Sequence, residues 1–405
     1  MSKLNRRKFL VLSSAMLAVT TSVGVKAQSS KTPGALEGDR RPQEIIVVGA
    51  GVSGLVAAYE LAQVGHKVTV LEARQRIGGR VLTLRGDFAE NHFVEAGAAR
   101  IPPNHDLTLA YIKHFGLELE PFFPQEGLYI RVKDGQRILV SFDEIIAQMP
   151  QVQFSSWTKI ANGSEQLPKA MAEALHGRIR LGEPVIRIEQ TPKAVQVSCS
   201  SGLQLTADCV LCTVPLPVME RITFSPPLSS KKQTAISGGY NYRPSTRIFV
   251  EFPERFWEKE GLNGWGTFDR PEELWQPTWN QPGVTGILHA YLKGETALAM
   301  DALEPKKRLA QLLQQWQEII PGVKDYSVSD VTHSSHSWNN DPWSKGGWAY
   351  PTESQELELF DELRRTEKRL YFAGEHTSTN RGWLQGALSS GLRAAKEIHT
   401  SASRT

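Results

Sequence analysis

The sequence contains few cysteines, which excludes a framework of several disulfides. Only three occur in 405 residues, at Cys199, Cys209 and Cys212. The last two have the spacing of a redox or metal motif, but they lie in an apolar, strand-like run, where residues three apart point to opposite faces. We therefore predict buried core thiols and a chain stabilised by its hydrophobic core.

Candidate metal ligands are also sparse. His333 and His336 lie three residues apart in a polar stretch rich in serine and asparagine. Because no further ligands accompany them, we predict that both are loop residues and that the protein has no metal site.

A basic surface of the kind that binds nucleic acid is missing as well. The chain has 46 basic and 43 acidic residues, a formal net charge of +3. Five of the basic residues and none of the acidic ones fall in residues 1–27, so the remainder carries two more acids than bases. We see no basic cluster with interleaved aromatic residues and predict no nucleic-acid partner.

No apolar run predicts a stable membrane span. The stretch over residues 11–25 is short and rich in Ser, Thr and Ala. It follows the paired Arg6 and Arg7, and an A-x-A-like site ends at Ala27. The pattern predicts a twin-arginine signal peptide over residues 1–27. The protein is therefore expected to be exported by the twin-arginine machinery and to be periplasmic or secreted. A disordered basic tail and an uncleaved anchor are the alternatives.

Residues 28–42 are rich in Ser, Gly and Pro and predict a flexible linker. Beyond them, periodicity and turn residues predict the main local elements. The expected elements are helices near residues 107–115, 142–149, 165–175 and 305–320, a hairpin over 127–140 and a strand pair over 183–197.

A glycine-rich turn between two strand-like segments is the most informative part of the sequence. An apolar run over residues 45–48 predicts a buried strand, a helical pattern follows it, and residues 67–71 predict a second strand. The turn reads Gly49-Ala50-Gly51-Val52-Ser53-Gly54. Its first glycine permits the turn, its second lets a pyrophosphate approach, and its third lets the helix pack against the strand.

Glu72 ends the second strand, 18 residues after Gly54. An acid at about this offset takes the ribose hydroxyls of a bound dinucleotide and would repel a 2′-phosphate. The pattern therefore predicts dinucleotide binding and disfavours NADP, but it does not separate NAD from FAD.

The segment after Glu72 makes that distinction by resemblance. Residues 73–80, ARQRIGGR, resemble the Gly-Gly-Arg extension of the flavin amine oxidoreductases, the family of monoamine oxidase, polyamine oxidase and L-amino acid oxidase. Residues 370–377, LYFAGEHT, and 381–391, RGWLQGALSSG, are similar to the second flavin fingerprint of that family. The resemblance covers nearly all of residues 43–400 and implies bound FAD.

The fold implied by the resemblance is α/β, with a Rossmann-like FAD-binding domain of the amine oxidase type intertwined with an α+β substrate-binding domain. We expect the FAD-binding domain to consist of residues 43–100, 163–240 and 366–400. Residues 101–162 and 241–365 would then form the substrate-binding domain.

The resemblance also implies which residues surround FAD and substrate. Val185 is expected to meet the adenine and Glu375 the ribityl–phosphate region. The expected FAD contacts are Gly49, Ala50, Gly51, Ser53, Gly54, Glu72, Ala73, Arg74, Gly79, Arg80, Ala98, Ala99, Arg100, Val185, Gly374, Glu375, Trp383, Leu384 and Ala387. The expected catalytic group is Arg100, Arg247, Trp348, Gly382 and Trp383.

Arg100 lies among small and apolar residues in the run VEAGAARIP. This run resembles the segment that passes the flavin in L-amino acid oxidases, which implies that Arg100 grips the substrate carboxylate. A guanidinium group matches a carboxylate bidentately. The alternative is that Arg100 pairs with an internal acid such as Glu95.

Two positions depart from the family pattern. Arg247 stands where many members have a lysine linked to oxygen reactivity, and an arginine does not readily lose its proton. It either alters the reaction with oxygen or faces away as a structural residue. Trp348 stands where monoamine oxidases have the cysteine that carries flavin, and Ala349 replaces the aromatic residue that follows. These differences imply noncovalent FAD and favour an L-amino acid oxidase.

The implied reaction is oxidative deamination of an L-amino acid. Arg100 would bind the carboxylate, the Gly382 carbonyl and Trp383 would position the amine, and a hydride would pass from the α-carbon to flavin N5. The products with oxygen are a 2-oxo acid, ammonia and hydrogen peroxide. The alternatives are a mono- or polyamine oxidase, a dehydrogenase or monooxygenase of the same fold, and a non-catalytic flavin-binding electron-transfer subunit. The sequence leaves the preferred side chain and the oligomeric state open, a homodimer being one option.

Overall fold

A parallel sheet forms around the first predicted strand. The structure is a computed structural model that describes residues 34, 36–148, 150–268 and 273–403, so the predicted signal peptide lies outside the described residues. Strands are numbered along the chain, and the five-stranded sheet has the order β22 (Leu370–Phe372), β13 (Cys209–Cys212), β1 (Glu44–Val48), β2 (Lys67–Leu71) and β9 (Ile179–Arg180). All of its pairings are parallel. Four successive residues of β1 are buried, as expected for a strand covered on both faces.

Within the described residues, the other strands form one sheet of seven strands, one of four strands and three of two strands. The seven-stranded sheet has the order β20 (Thr332–Ser337), β16 (Ser245–Phe252), β19 (Gly286–Lys293), β18 (Glu273–Trp275), β17 (Leu262–Thr267), β6 (Leu128–Lys133) and β7 (Gln136–Val140). The four-stranded sheet has the order β12 (Gln204–Ala207), β11 (Val195–Cys199), β10 (Val185–Gln190) and β14 (Thr223–Ser225). The two-stranded sheets pair β3 (Thr83–Arg85) with β4 (Phe93–Glu95), β5 (Leu119–Pro121) with β8 (Thr158–Ile160), and β15 (Tyr242–Arg243) with β21 (Trp348–Ala349).

Ten α-helices occur within the described residues. They are α1 (Val52–Gln63), α2 (Asp106–His114), α3 (Phe142–Gln148), α4 (Gln166–Ala174), α5 (Leu216–Met219), α6 (Ser230–Thr234), α7 (Gly294–Asp301), α8 (Pro305–Gln317), α9 (Glu353–Arg364) and α10 (Leu384–Ser401). In the described part of the chain, none of the helices combines the length and the apolar character that a membrane crossing requires.

Helix α1 links β1 to β2 and packs closely against α10. A Cβ atom at Gly391 of α10 would come within 2.4 Å of the carbonyl oxygen of Ser53. The Ser53 hydroxyl also lies 3.1 Å from the hydroxyl of Ser390. The small residues of α10 therefore allow the two helices to approach each other, which brings the C-terminal segment to the glycine-rich turn.

The predicted local elements are confirmed. Helices α2, α3, α4 and α8 occupy the expected positions, β6 and β7 form the hairpin, and β10 pairs with β11. Asp134 and Gly135 of the hairpin turn both have positive φ, 53° and 74°. Such a turn matches the twist of the flanking strands.

The three cysteines are buried and free, as predicted. On β13, Cys209 packs with Ile45 and Val47 of β1, whereas Cys212 packs with Ile46 and Val48. The two thiols therefore lie on opposite faces of the sheet. Burial raises the pKa of Cys209 to about 12 and that of Cys212 to about 11.

The prediction of loop residues at His333 and His336 was wrong. Both lie on β20, which pairs antiparallel with β16. β20 is an edge strand of the seven-stranded sheet, and none of its residues is fully buried, so its sequence carries no apolar pattern from which a strand could be predicted.

Part of the predicted linker is held against the end of α10. The structure describes residue 34 and residues 36–42 of this segment. The Arg41 amide donates to the carbonyl of Ser403 at 2.9 Å, and a ring nitrogen of His399 lies 2.9 Å from the carbonyl oxygen of Gly38. This part of the segment is thus fixed by hydrogen bonds.

Candidate active site

A cavity of about 410 Å³ begins at the turn between β1 and α1. Gly49 has a φ of +106°, and a Cβ atom there would lie 2.6 Å from the Thr213 hydroxyl. Gly51 faces Gly79 across the turn, where a Cβ atom on Gly79 would lie 3.1 Å from the Gly51 Cα. The first amides of α1 have no carbonyl acceptor within the helix and favour an anion. These residues fit the pyrophosphate of a dinucleotide.

Glu72 is held at the same end of the cavity by two backbone amides. The amide of Ala50 donates to one carboxylate oxygen at 2.8 Å, and the amide of Arg74 donates to the other at 2.9 Å. A carboxylate has about four acceptor positions, so two remain for ligand hydroxyls. The arrangement suits a ribose, and we call this part of the cavity the Glu72 end.

Arg80 and Glu375 form an ion pair in the wall of the cavity, 2.8 Å apart. Arg80 also donates to the carbonyl of Gly347 at 2.9 Å. The Glu375 carboxylate accepts from the amide of Gly382 at 3.0 Å and from that of Ala349 at 3.2 Å. Glu375 therefore joins the Gly-Gly-Arg segment to the two segments that carry Trp348 and Trp383.

Another part of the cavity is lined by aromatic rings and cations. Arg100 lies there, with its guanidinium carbon 4.8 Å from the ring centre of Trp275, 5.8 Å from that of Tyr291 and 6.0 Å from that of Trp383. The rings of Tyr291 and Trp348 are 6.5 Å apart. We call this region the aromatic end.

Gly382 also belongs to the aromatic end. A Cβ atom on it would lie 3.2 Å from the Trp348 ring, and its φ is +77°. Both observations favour glycine at this position. The predicted catalytic residues are thus brought together from four separate parts of the chain.

Arg100 has an acidic partner, but it is not Glu95. Its NH1 group lies 3.2 Å from the carboxylate of Glu273, which also pairs with Lys293 and accepts from the Trp275 indole at 2.9 Å. Burial alone would raise the pKa of Glu273, but Arg100 and Lys293 outweigh it and hold that pKa below its usual value.

Glu95 lies elsewhere because β3 and β4 place it opposite Thr83. Its carboxylate accepts from the Thr83 hydroxyl at 3.1 Å and from the Ser164 amide at 2.7 Å. Burial nevertheless raises the pKa of Glu95 to about 7.

Arg247 lines the cavity at the aromatic end and does not face away from it. Its NH1 group donates to the backbone carbonyl of Glu95 at 2.8 Å. Its guanidinium carbon lies 4.3 Å from the ring centre of Tyr291 and 5.1 Å from that of Trp275. Burial lowers its pKa, and the charge of Arg100 lowers it further.

Most of the residues predicted to contact FAD line this cavity. They are Gly49, Gly51, Ser53, Glu72, Ala73, Arg74, Gly79, Arg80, Ala98, Ala99, Arg100, Val185, Gly374, Glu375, Trp383, Leu384 and Ala387. Ala50 and Gly54 are not among the lining residues. Ala50 is fully buried and contributes its amide to Glu72. Gly54 faces the strand, where a Cβ atom would lie 2.0 Å from the Gly49 carbonyl oxygen.

Sequence reasoning missed three polar residues of the aromatic end: Glu273, Tyr291 and Lys293. Tyr291 and Lys293 are two apart on β19 and lie opposite Arg247 and Ser245 of β16. Strand alternation therefore places them on the face that carries Arg247. The sequence shows this alternation, but it does not place Tyr291 and Lys293 beside Arg247 until the pairing of β16 with β19 is known.

The fold is α/β, and one cavity is lined by the glycine turn, by Glu72 and by the residues of the aromatic end. The chain belongs to the flavin containing amine oxidoreductase family, whose family model matches residues 52–158 and 151–399. The flavin expected for this family is compatible with the glycine turn and the Glu72 end.

Curated relatives include two L-amino-acid oxidases. The one from Bothrops pauloensis is 27% identical, over 90% of this chain and 90% of its own. The one from Demansia vestigiata is also 27% identical, over 88% of this chain and 87% of its own.

Solved structures with the same fold include two amine oxidases. Putrescine oxidase bound to putrescine has a TM-score of 0.77 at 19% identity, and covers 88% of this chain and 99% of its own. Cyclohexylamine oxidase from Brevibacterium oxydans has a TM-score of 0.77 at 18% identity, with 89% and 99% covered. At these identities the likeness establishes the fold.

Proposed function

We propose that the protein is an FAD-dependent L-amino acid oxidase, which converts an L-amino acid, oxygen and water to a 2-oxo acid, ammonia and hydrogen peroxide. One observation carries the proposal: Arg100 lies at the aromatic end of the same cavity that the glycine turn and Glu72 line. The names of the curated relatives support the same reaction.

The proposed cofactor is FAD, held without a covalent bond. When bound, it would take up a hydride from the substrate α-carbon and pass the electrons to oxygen. The glycine turn would hold its pyrophosphate and Glu72 a ribose. None of the three cysteines lines the cavity, and burial raises the pKa of the Cys199 thiol to about 11. Attachment through a cysteine is therefore disfavoured.

The proposed role of Arg100 is to bind the substrate carboxylate. Its guanidinium group remains partly exposed to the cavity and is oriented by the rings of Trp275 and Tyr291. The Gly382 carbonyl and Trp383 would position the amine. The peptide that precedes this carbonyl is fixed because the Gly382 amide donates to Glu375.

Amine oxidation is a second candidate, and the ion pair between Arg100 and Glu273 favours it. An arginine already neutralised by an internal acid need not bind a carboxylate. The aromatic end would then be free to bind an uncharged amine. Glu273 is shared with Lys293, however, so the two cations still exceed the one carboxylate.

Anaerobic mixing tests both candidates. The purified protein is mixed with pooled L-amino acids, and separately with pooled amines, while the absorbance of oxidised flavin is followed; air is then admitted. Bleaching by amino acids and recovery in air are expected. Bleaching by amines alone would overturn the proposal in favour of amine oxidation, bleaching without recovery would indicate a dehydrogenase, and the absence of bleaching would indicate a binding subunit.

A charge-conserving variant tests the role of Arg100. Arg100→Lys keeps the cation but loses the bidentate fork, so the Kd for amino acids should rise by about 10- to 100-fold, as for lost hydrogen bonds to a charged group. The matched control is Arg137→Lys on β7, where the arginine pairs with Glu260 on the surface. An unchanged Kd in Arg100→Lys would remove the residue from its proposed role.

We also propose the domain division expected from the sequence. The sheets support it, because each described sheet takes all of its strands from one proposed domain.

Export through the twin-arginine machinery remains a proposal based on Arg6 and Arg7. Replacing both by lysine should retain the protein in the cytoplasm, and cell fractionation would measure this.

A further inference from the structure

We infer that the substrate is an acidic L-amino acid, aspartate or glutamate, whose side-chain carboxylate binds Arg247 while its α-carboxylate binds Arg100. The inference rests on the proposed function and narrows it to a substrate class. It requires two cationic groups within reach of one small molecule, an unsatisfied donor, and an excess of positive charge.

The two guanidinium groups lie close together. Their carbons are 4.8 Å and 5.1 Å from the ring centre of Trp275, so they are at most about 10 Å apart. Both also lie over Tyr291 and both residues line the cavity. One molecule with two carboxylates could therefore contact both arginines.

Arg247 has an unsatisfied donor. Only 5% of the residue is exposed, and its Nε–H has no acceptor among the described residues. A buried donor without a partner costs about 1–3 kcal/mol. Arg247 also lines the cavity, so its guanidinium group can meet a carboxylate bound there, and guanidinium groups favour carboxylates over neutral acceptors.

The charges at the aromatic end are unbalanced. Arg100, Arg247 and Lys293 are cations, and Glu273 is the carboxylate that pairs with two of them. In the described part of the chain Arg247 has no carboxylate partner within ion-pair distance, and Glu95 reaches it through a backbone carbonyl. Two positive charges are thus in excess. A neutral amino acid brings one carboxylate along with its amino group, whereas an acidic amino acid brings a second carboxylate and therefore more negative charge.

A purely structural role for Arg247 explains less. Stacking of its guanidinium group on Tyr291 and Trp275 contributes about 2 kcal/mol when desolvated. It does not, however, provide an anion for the charge, which a bound carboxylate would supply.

The test compares acids with their amides, which have nearly the same shape. The flavin-loaded protein is mixed anaerobically with L-glutamate, L-glutamine, L-aspartate or L-asparagine, and the rate of flavin reduction is divided by the Kd. We expect at least one acid to exceed its amide by about 100-fold, from the loss of a charge-assisted contact. Arg247→Gln should bring this ratio close to one, because the acid loses its partner and the amide does not, whereas Arg137→Gln should leave the ratio unchanged.

A binding measurement covers the case in which Arg247→Gln does not retain flavin. The absorbance of the wild-type flavin is titrated with glutarate and with butyrate, and tighter binding of the dicarboxylate is expected. Equal reduction by acids and amides, or equal binding of the two carboxylates, would overturn the inference while the proposed function stands. Reduction by amines alone would instead overturn the proposed function.

Discussion

Burial of Glu60 on α1 is expected to lower the free energy of unfolding at neutral pH, and this effect can be measured. Only 1% of the residue is exposed, and the Tyr111 hydroxyl of α2 donates to its carboxylate at 2.5 Å. Burial raises the pKa of Glu60 from 4.5 to about 7, although the Tyr111 hydrogen bond partly opposes this shift. In the unfolded chain Glu60 ionises near pH 4.5, so between pH 4.5 and pH 7 its carboxyl group is protonated in the folded state and ionised in the unfolded state. The wild-type free energy of unfolding should therefore fall as the pH rises from 4.5 to 7.

The magnitude follows from the shift. Each pKa unit corresponds to about 1.4 kcal/mol, so a shift to about 7 costs about 3 kcal/mol above pH 7 and nothing below pH 4.5. Glu60→Gln keeps an acceptor for Tyr111 but cannot ionise. The variant should thus gain about 3 kcal/mol relative to wild type between pH 4.5 and pH 8.

The assay is denaturant unfolding of both proteins with saturating FAD at several pH values. Glu95 titrates in the same range because burial also raises its pKa to about 7. Its contribution is common to both proteins and cancels in the difference between them. Parallel pH profiles for wild type and Glu60→Gln would refute the reasoning.

Two further predictions concern the cofactor. Gly51→Ala should fold, because the new Cβ atom meets only the Gly79 Cα at 3.9 Å, but it should lower the ratio of flavin to protein by crowding the pyrophosphate. Gly54→Ala should also lower the unfolding temperature, because its Cβ atom would lie 2.0 Å from a carbonyl oxygen. Equal stability of the two variants would contradict this assignment. Acid precipitation should release all of the flavin into the supernatant, where chromatography should identify it as FAD. Flavin that stays in the protein pellet would contradict noncovalent binding.

The sequence predicts the first part of the fold closely because its signals are local. The burial pattern of β1, the glycine turn and the helical spacing of α1 each lie within a few residues. The predicted second strand, residues 67–71, has the observed bounds of β2. The Glu72 end follows directly from this unit, since parallel strands deliver their C-terminal residues to one edge.

The aromatic end could be predicted only in part because strand pairing assembles it. Arg247 of β16 lies opposite Tyr291 of β19, which lies opposite Glu273 of β18. No local pattern in any one of these strands indicates that register. Arg100 and Trp383 were identified by resemblance, whereas the residues that surround them required the sheet.

The pair between Arg100 and Glu273 is consistent with carboxylate binding by Arg100. The pair is mostly buried, with 24% and 17% of the two side chains accessible. If Arg100 turns to a substrate carboxylate, Glu273 keeps Lys293 and the Trp275 indole as partners. No carboxylate is then left buried without compensation, which is the outcome that would make the exchange expensive. Under the proposed function, Glu273 would thus orient the guanidinium group in the free protein without preventing its use by a substrate.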